Sequence, residues 1–298
     1  EISACLVGSE MCIRDSLQNF MSLDGKVAIV TGASRPKGIG FAAVRALALL
    51  GAKVVISDLG GFVKGMSDEC YALGSTELLD NAVAEIKRLG GEAIAVPADL
   101  CKKEDREHLI DAAIGNFGRI DILINNAASM FNTTVMQSDT HAWEMSYKVN
   151  MQAVIELTKG VIPHMKKQGG GAVVNISSGV GVGALPGMAP YVCTKHANVL
   201  LTKYFAAEHG KENIRFNVIC PGNTWTDNWD DEMAQIHKDQ HREIEEILDT
   251  VKKAAYLNKI GSPDEVGQAA AFLASPAASF INGATLMVDG GSCEGNLH

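Results

Sequence analysis

Tyr191 and Lys195 stand four residues apart in Tyr191-Val192-Cys193-Thr194-Lys195, a spacing that puts both on one face of a helix. A tyrosine hydroxyl can move a proton to or from an alcohol oxygen if something offsets its ordinary pKa of ~10. A neighbouring ammonium does so by favouring the phenolate. Ser178, thirteen residues before the tyrosine, follows the apolar run AVVNIS (172–177) and offers a hydroxyl that can hold a substrate oxygen. Taken singly, a Tyr–Lys pair is a common surface contact and Ser178 an ordinary turn residue.

A second group lies near the start of the chain. The apolar run KVAIVT (26–31) is followed by Gly32, Ala33, Ser34, Arg35, Pro36, Lys37, Gly38, Ile39 and Gly40, and then by a helical stretch. Glycines between a strand and a helix let the backbone approach a pyrophosphate, and the helix N-terminus supplies amides and a positive dipole end. The second apolar run ends in Asp58, where a carboxylate can accept from adenosine ribose hydroxyls and would repel a 2′-phosphate. Asp58 therefore favours NAD over NADP, and Arg35 and Lys37 pull the other way because either can meet a phosphate.

Strand-like and helical segments alternate along the whole length. Strands are expected at 26–31, 53–57, 93–96, 121–125, 172–177, 215–220 and 285–289. Helices are expected at 39–50, 77–89, 103–117, 140–167, 189–209, 227–256 and 263–274. Apolar strands in such an order predict an α/β fold: one doubly wound domain with a parallel seven-stranded sheet and helices on both faces. Residues 60–75 and 223–256 look inserted, and the second leaves a strand's carboxyl end, where a substrate lid would sit. Residues 1–20 carry no usable periodicity and no signal-peptide pattern. They are expected to be foreign to the natural protein, with Met21 as its start and 21–298 as the folded domain.

Composition narrows the classes. The net charge of −9 argues against a nucleic-acid partner. No apolar run reaches membrane length, the best candidate, 41–56, being interrupted by Arg45 and Lys53. Seven cysteines without a C-x-x-C pair fit a reducing compartment, taken as the cytoplasm, and no metal site is expected. His237 and His241 are four apart but lack a third ligand and read as a solvated helix, as do Glu243, Glu245 and Glu246. Cys193 lacks a base partner and reads as packing. Trp225, Trp229, Met188, Met130 and Phe131 fall near strand ends or the lid and suit an apolar substrate pocket or packing beneath the lid.

In order and spacing, the glycine loop, Ser177-Ser178, Tyr191–Lys195 and Pro221-Gly222-Asn223-Thr224-Trp225-Thr226 resemble the short-chain dehydrogenase/reductase family. The resemblance covers residues 21–298 and includes the ending FINGATLMVDGG. It implies hydride transfer between NAD(H) and a secondary alcohol or ketone, with Tyr191 as acid–base and Ser178 holding the substrate oxygen. It also implies that Lys195 binds the nicotinamide ribose and that Asn150 holds a water linking the lysine to solvent. The cofactor positions it implies are Gly32, Ser34, Arg35, Gly38, Ile39, Gly40, Asp58, Asp99, Leu100, Asn126, Ala127, Tyr191, Lys195, Pro221, Gly222, Thr224 and Thr226. Asp99 would lie near the adenine amine, Asn126 near the adenine ribose, and Thr224 and Thr226 on the carboxamide. A homotetramer is the implied assembly.

Two departures matter. Five residues separate Gly32 from Gly38, as if Pro36 and Lys37 were added, which would shift the phosphate contacts. Ala128 stands where the family has glycine, which matters only if that position needs positive φ. The competing readings are an NADPH-dependent 3-oxoacyl-thioester reductase and a nucleotide sensor without catalysis. An enoyl reductase of the wider family would carry lysine seven residues after the tyrosine, where this chain has Asn198.

Overall fold

Strands that read as unbroken apolar runs need cover on both faces, and the folded chain supplies it. The computed structural model describes residues 20–60, 75–227, 229 and 243–292. Seven strands, β1 (Val27–Thr31), β2 (Lys53–Asp58), β3 (Ala93–Pro97), β4 (Ile122–Asn125), β5 (Gly171–Ile176), β6 (Ile214–Pro221) and β7 (Thr285–Val288), form one sheet in the order 3-2-1-4-5-6-7. Every pairing is parallel, with Ile29 beside Val55 and Leu123, and Val174 beside Asn217. The expected doubly wound architecture is therefore present.

Because side chains alternate along a strand, each strand feeds two cores. On one face Ala28, Val30, Val54 and Ile124 pack with helices α1 (Ile39–Leu49), α2 (Thr76–Arg88) and α8 (Pro263–Ala274) through Phe41, Leu47, Leu79 and Val266. On the other, Val27, Ile29, Leu123 and Val173 pack with α3 (Lys103–Phe117), α5 (Ala153–Lys167) and α6 (Ala189–His209) through Leu109, Leu157, Val161 and Phe205. Further helices among the described residues are α4 (Thr140–Tyr147), joined to α5 through residues 148–152, and α7 (Ile244–Lys253). Local chemistry fixes the ends. Ser75 and Asp139 accept first-turn amides of α2 and α4, Ser262 and Glu265 form a reciprocal capping box on α8, and Gly118 ends α3 in the left-handed conformation.

The single helix expected over 140–167 is interrupted. Lys148–Gln152 forms a π-turn between α4 and α5 and carries Asn150 inward to 1% exposure. Residues 61–74, most of the expected 60–75 insertion, lie outside the described residues. So do residues 1–19 of the expected extension, and the stretch of the expected lid that contains His237 and His241. Among the described residues, no helix is long and apolar enough to cross a membrane.

Candidate active site

The carboxyl ends of the strands open into one cleft of about 560 Å³. It is centred on the point where sheet order reverses between β1 and β4, the usual ligand position in such sheets. Asp58 ends β2, Asn126 follows β4, Ser177 and Ser178 follow β5, and Pro221 ends β6. Helix α6 runs from the cleft floor and presents Tyr191 and Lys195 from successive turns.

The glycine loop shapes one end. Gly32 has φ +63, and a Cβ there would lie 2.8 Å from the Ala127 Cα. A Cβ on Gly40 would lie 2.5 Å from both the Asn126 Nδ2 and the Gly32 carbonyl oxygen. The Asn126 amide donates to the carbonyls of Thr31 and Gly32, and the Thr31 hydroxyl accepts the backbone amides of Asn126 and Ala127. The two added residues take no part in these cradle bonds. Gly38 N donates to the Arg35 carbonyl at 2.9 Å, closing a tight turn that carries Pro36 and Lys37 to the surface. Helix α1 still starts at Ile39, with no side-chain cap and no acid in its first turn, so its amides face the cleft as an anion seat. The Lys37 amide meets the Asp227 carboxylate at 3.1 Å.

Asp58 lies in the cleft beside Arg35, and its carboxylate accepts from the Ser34 amide at 3.0 Å, the Ser34 hydroxyl at 2.7 Å and the Leu59 amide at 2.8 Å. Asp99, Leu100 and Ala127 line the same end, with Asp99 held by the Cys101 amide. Ala128 does not have positive φ; among the described residues only Asn213 and Asn258 do so without being glycine. The replacement of the family's glycine is therefore free of backbone strain.

At the other end, Ser178 and Tyr191 line the cleft together, and the Ser178 hydroxyl accepts from the Val180 amide at 3.4 Å. Burial dominates the tyrosine and pushes it up to about 12, with the Ser178 contact acting in the opposite direction. Lys195 is 3% exposed, its ammonium donates to the Ile176 carbonyl at 2.8 Å, and burial pushes it down to about 8. From sequence, the lysine ammonium and an oxidised nicotinamide ring are expected to favour the phenolate together, and of these the lysine contributes little by itself. Its Nζ lies 5.4 Å from the Tyr191 ring centre and is aimed at a carbonyl, so desolvation wins.

Three expected site residues are not cleft walls. Ser34 acts on Asp58 from behind, Gly40 packs under Asn126, and Asn150 lies beneath the floor. The Asn150 amide is fully engaged, accepting from Ser129 N at 2.8 Å and donating to the Ser129 carbonyl and the Thr194 hydroxyl. The other expected residues, Gly32, Arg35, Gly38, Ile39, Gly222, Thr224 and Thr226 among them, do line it. The Thr224 hydroxyl donates to the Gly222 carbonyl at 3.0 Å.

A buried amide ladder sits below. Asn125 donates to Asn175 at 2.8 Å, Asn175 to Thr202 at 2.9 Å, and Thr202 to the Asn198 carbonyl at 2.8 Å, tying β4 and β5 to α6.

A family profile described as enoyl-(acyl carrier protein) reductase matches residues 32–293. The bovine protein named dehydrogenase/reductase SDR family member 4 is 36% identical over 278 residues, covering 91% of this chain and 88% of that one. The chain belongs to the short-chain dehydrogenase/reductase family. As a member it is a hydride-transfer oxidoreductase of alcohols and ketones that uses a nicotinamide dinucleotide. Two solved structures of the family are close in shape. L-sorbose reductase from Gluconobacter frateurii, complexed with NADPH and L-sorbose, gives a TM-score of 0.83 at 29% identity over 92% of this chain and 98% of that one. A 7α-hydroxysteroid dehydrogenase, complexed with NADH and 7-oxo glycochenodeoxycholic acid, gives 0.78 at 31% identity over 92% and 96%. The two carry different nicotinamide dinucleotides, so family likeness leaves the 2′-position of the cofactor open.

Lys195 makes a stability prediction for the cofactor-free protein. Its folded pKa is depressed from 10.5 to about 8, so the unfolded chain binds its proton first as pH falls. The contribution is fully present above pH 10.5 and is lost as pH falls toward 8, by about 3 kcal/mol. Tyr191, raised from 10.0 to about 12, acts only above pH 10, where stability falls with rising pH. Urea unfolding at pH 8 and pH 10 should show wild type gaining stability across that interval and Lys195→Met gaining much less.

Proposed function

We propose that this protein is an NAD-dependent dehydrogenase/reductase of secondary alcohols and ketones, with Tyr191 as general acid–base. The observation that carries the reading is the convergence of Ser178, Tyr191 and Lys195 on one cleft, with the buried Lys195 ammonium anchored on the Ile176 carbonyl. When bound, the nicotinamide dinucleotide supplies or accepts the hydride. In the reducing direction Ser178 donates to the carbonyl oxygen and Tyr191 delivers the proton to that oxygen; in the oxidising direction Tyr191 receives it. Lys195, anchored on the Ile176 carbonyl, holds positive charge beneath the phenol and reaches the nicotinamide ribose.

The cradle fits such a cofactor. Two glycines that let the loop, α1 and the Asn126 segment pack closely, an uncapped helix start and a carboxylate at the end of β2 match a pyrophosphate and a ribose diol. Asp99 and Asn126 bound the adenosine end, Thr224 and Thr226 the carboxamide end. Asn150 acts as a positioning residue whose side chain holds Ser129 and α6 and whose carbonyl accepts from the Asn198 amide at 3.4 Å. NAD is favoured because Asp58 lies within the cleft and is fixed by three hydrogen bonds. Exposed Leu200 and Tyr204 on α6 and Phe280 before β7 support assembly into a homotetramer.

The test is a side-by-side fluorescence titration with NADH and NADPH, followed by reduction of a ketone with deuterated NADH. Tighter NADH binding and deuterium on the product carbinol carbon are expected. Tighter NADPH binding would transfer the reading to an NADPH-dependent reductase, and binding without turnover would favour a sensor.

A further inference from the structure

We infer that the substrate is a neutral ketone or secondary alcohol with apolar, ring-sized substituents, and not a polyol or a carboxylate. The inference rests on the oxidoreductase reading above and concerns the part of the cleft beyond Ser178 and Tyr191.

That part is walled from four separate places in the chain. Met130 and Phe131 come from the segment after β4, Leu185 and Met188 from the segment before α6, Trp229 from the segment after β6, and Ile247 from α7. Val251, one turn beyond Ile247, lines the cleft as well, so α7 lays an apolar stripe over the opening. Trp225, expected in the wall, lies behind it, stacked on Trp229 with ring centres 5.9 Å apart and planes 20° apart. This backing holds the Trp229 ring as a flat apolar surface, suited to a planar or cyclic substituent.

Much of the polar capacity beside this wall is already engaged, and Asn223 and Thr226 belong to the Pro221–Thr226 segment that the carboxamide end uses. The Ser129 amide and carbonyl are both taken by Asn150, and the Thr224 hydroxyl by Gly222. A polyol would bury several hydroxyls against methionine, leucine and tryptophan with few partners, and each unpaired hydroxyl weakens binding. Charge points the same way. Among the described lining residues the cations are Lys195, committed to the floor, and Arg35, at the Asp58 end. The charged group nearest the substrate side is Asp227, itself an acid and engaged by the Lys37 amide. Among the described lining residues, a substrate carboxylate would therefore meet Asp227 and no cation other than the committed Lys195 and the distal Arg35.

The experiment compares acetophenone, para-acetylbenzoate and fructose on the full chain with NADH. It uses two readouts: kcat/KM and calorimetric binding to the enzyme–NADH complex. Acetophenone is expected to exceed para-acetylbenzoate and fructose by about 100-fold or more in both. Met188→Lys, which places a cation in the apolar wall, is expected to narrow the gap to para-acetylbenzoate to within about tenfold while NADH affinity, measured alongside, stays unchanged. Equal or better handling of fructose or para-acetylbenzoate by wild type would overturn the inference, and so would millimolar acetophenone failing to bind. Selective binding of acetophenone without turnover would uphold the apolar class and bring down the oxidoreductase reading instead.

Discussion

Tyr191→Phe is expected to lower kcat by about 10²–10⁴-fold while leaving NADH affinity within about twofold of wild type. The change removes one oxygen and no ring. The ring packing beside Lys195 survives, and so does the α6 backbone that carries it. What is lost is the hydroxyl that shares the reacting end of the cleft with Ser178, and with it the proton donor. Single-turnover kinetics with excess ketone would separate the chemical step from product release. Ser178→Ala should cost less in kcat, because it removes an orienting donor and leaves the acid in place. The double variant should be little worse than Tyr191→Phe alone, since the two hydroxyls act as one unit. A tyrosine variant retaining more than about a tenth of wild-type turnover would exclude Tyr191 as the acid, far below the range for such a group.

Asp58→Asn should raise the NADH dissociation constant by about 10–100-fold and shift the NADPH-to-NADH preference toward NADPH by at least about tenfold. A hydrogen bond to a charged acceptor contributes about 1.5–3 kcal/mol, which converts to that range. Asparagine is chosen over alanine because its side-chain oxygen can still accept from Ser34, which keeps the glycine loop anchored. Arg35, in the same end of the cleft, would then face a 2′-phosphate without an opposing carboxylate. Adding Arg35→Ala to Asp58→Asn should therefore reverse the gain for NADPH while leaving NADH where the single variant put it. Fluorescence titrations of the four proteins with both dinucleotides read all of this directly. An unchanged preference in Asp58→Asn would show that the carboxylate does not set it.

The sheet was legible because its strands are nearly pure apolar runs. Burial on two faces is the only way such a run is satisfied, and the same runs mark where each strand stops. Helices 103–117, 189–209 and 263–274 begin and end where the sequence put them, since capping residues, a C-terminal glycine or a proline mark their limits. The π-turn at Lys148–Gln152 was not legible. Its residues have ordinary helical character, and the wide turn is stabilised from outside by Ser129 and Thr194 through Asn150. In the site, Tyr191, Lys195, Ser178 and Asp58 stood out by type and spacing. Thr31, Ile247 and Val251 did not. Thr31 looks like the last residue of a strand until Asn126 folds onto it. Ile247 and Val251, four apart on an amphipathic helix, offered a signal that a length of acidic sequence around them concealed. The effect of the two added loop residues was also beyond local reasoning, because whether they moved the cradle depended on the turn from Arg35 to Gly38 closing outside it.

The ladder from Asn125 through Asn175 and Thr202 to the Asn198 carbonyl has a consequence for how this scaffold can change. Successive residues on a helix point about 100° apart, so α6 can deliver both Tyr191 and Lys195 to the strand ends in one rotational phase only. Aliphatic contacts tolerate small rotations, whereas amide-to-hydroxyl bonds are directional and register the helix against β4 and β5. The accuracy of the proton-handling pair is thus inherited from the interior rather than from the cleft walls. Methionine, leucine and tryptophan around the opening can be exchanged for other side chains, and the chemistry retargeted to new ketones, without the phase of α6 having to be set again.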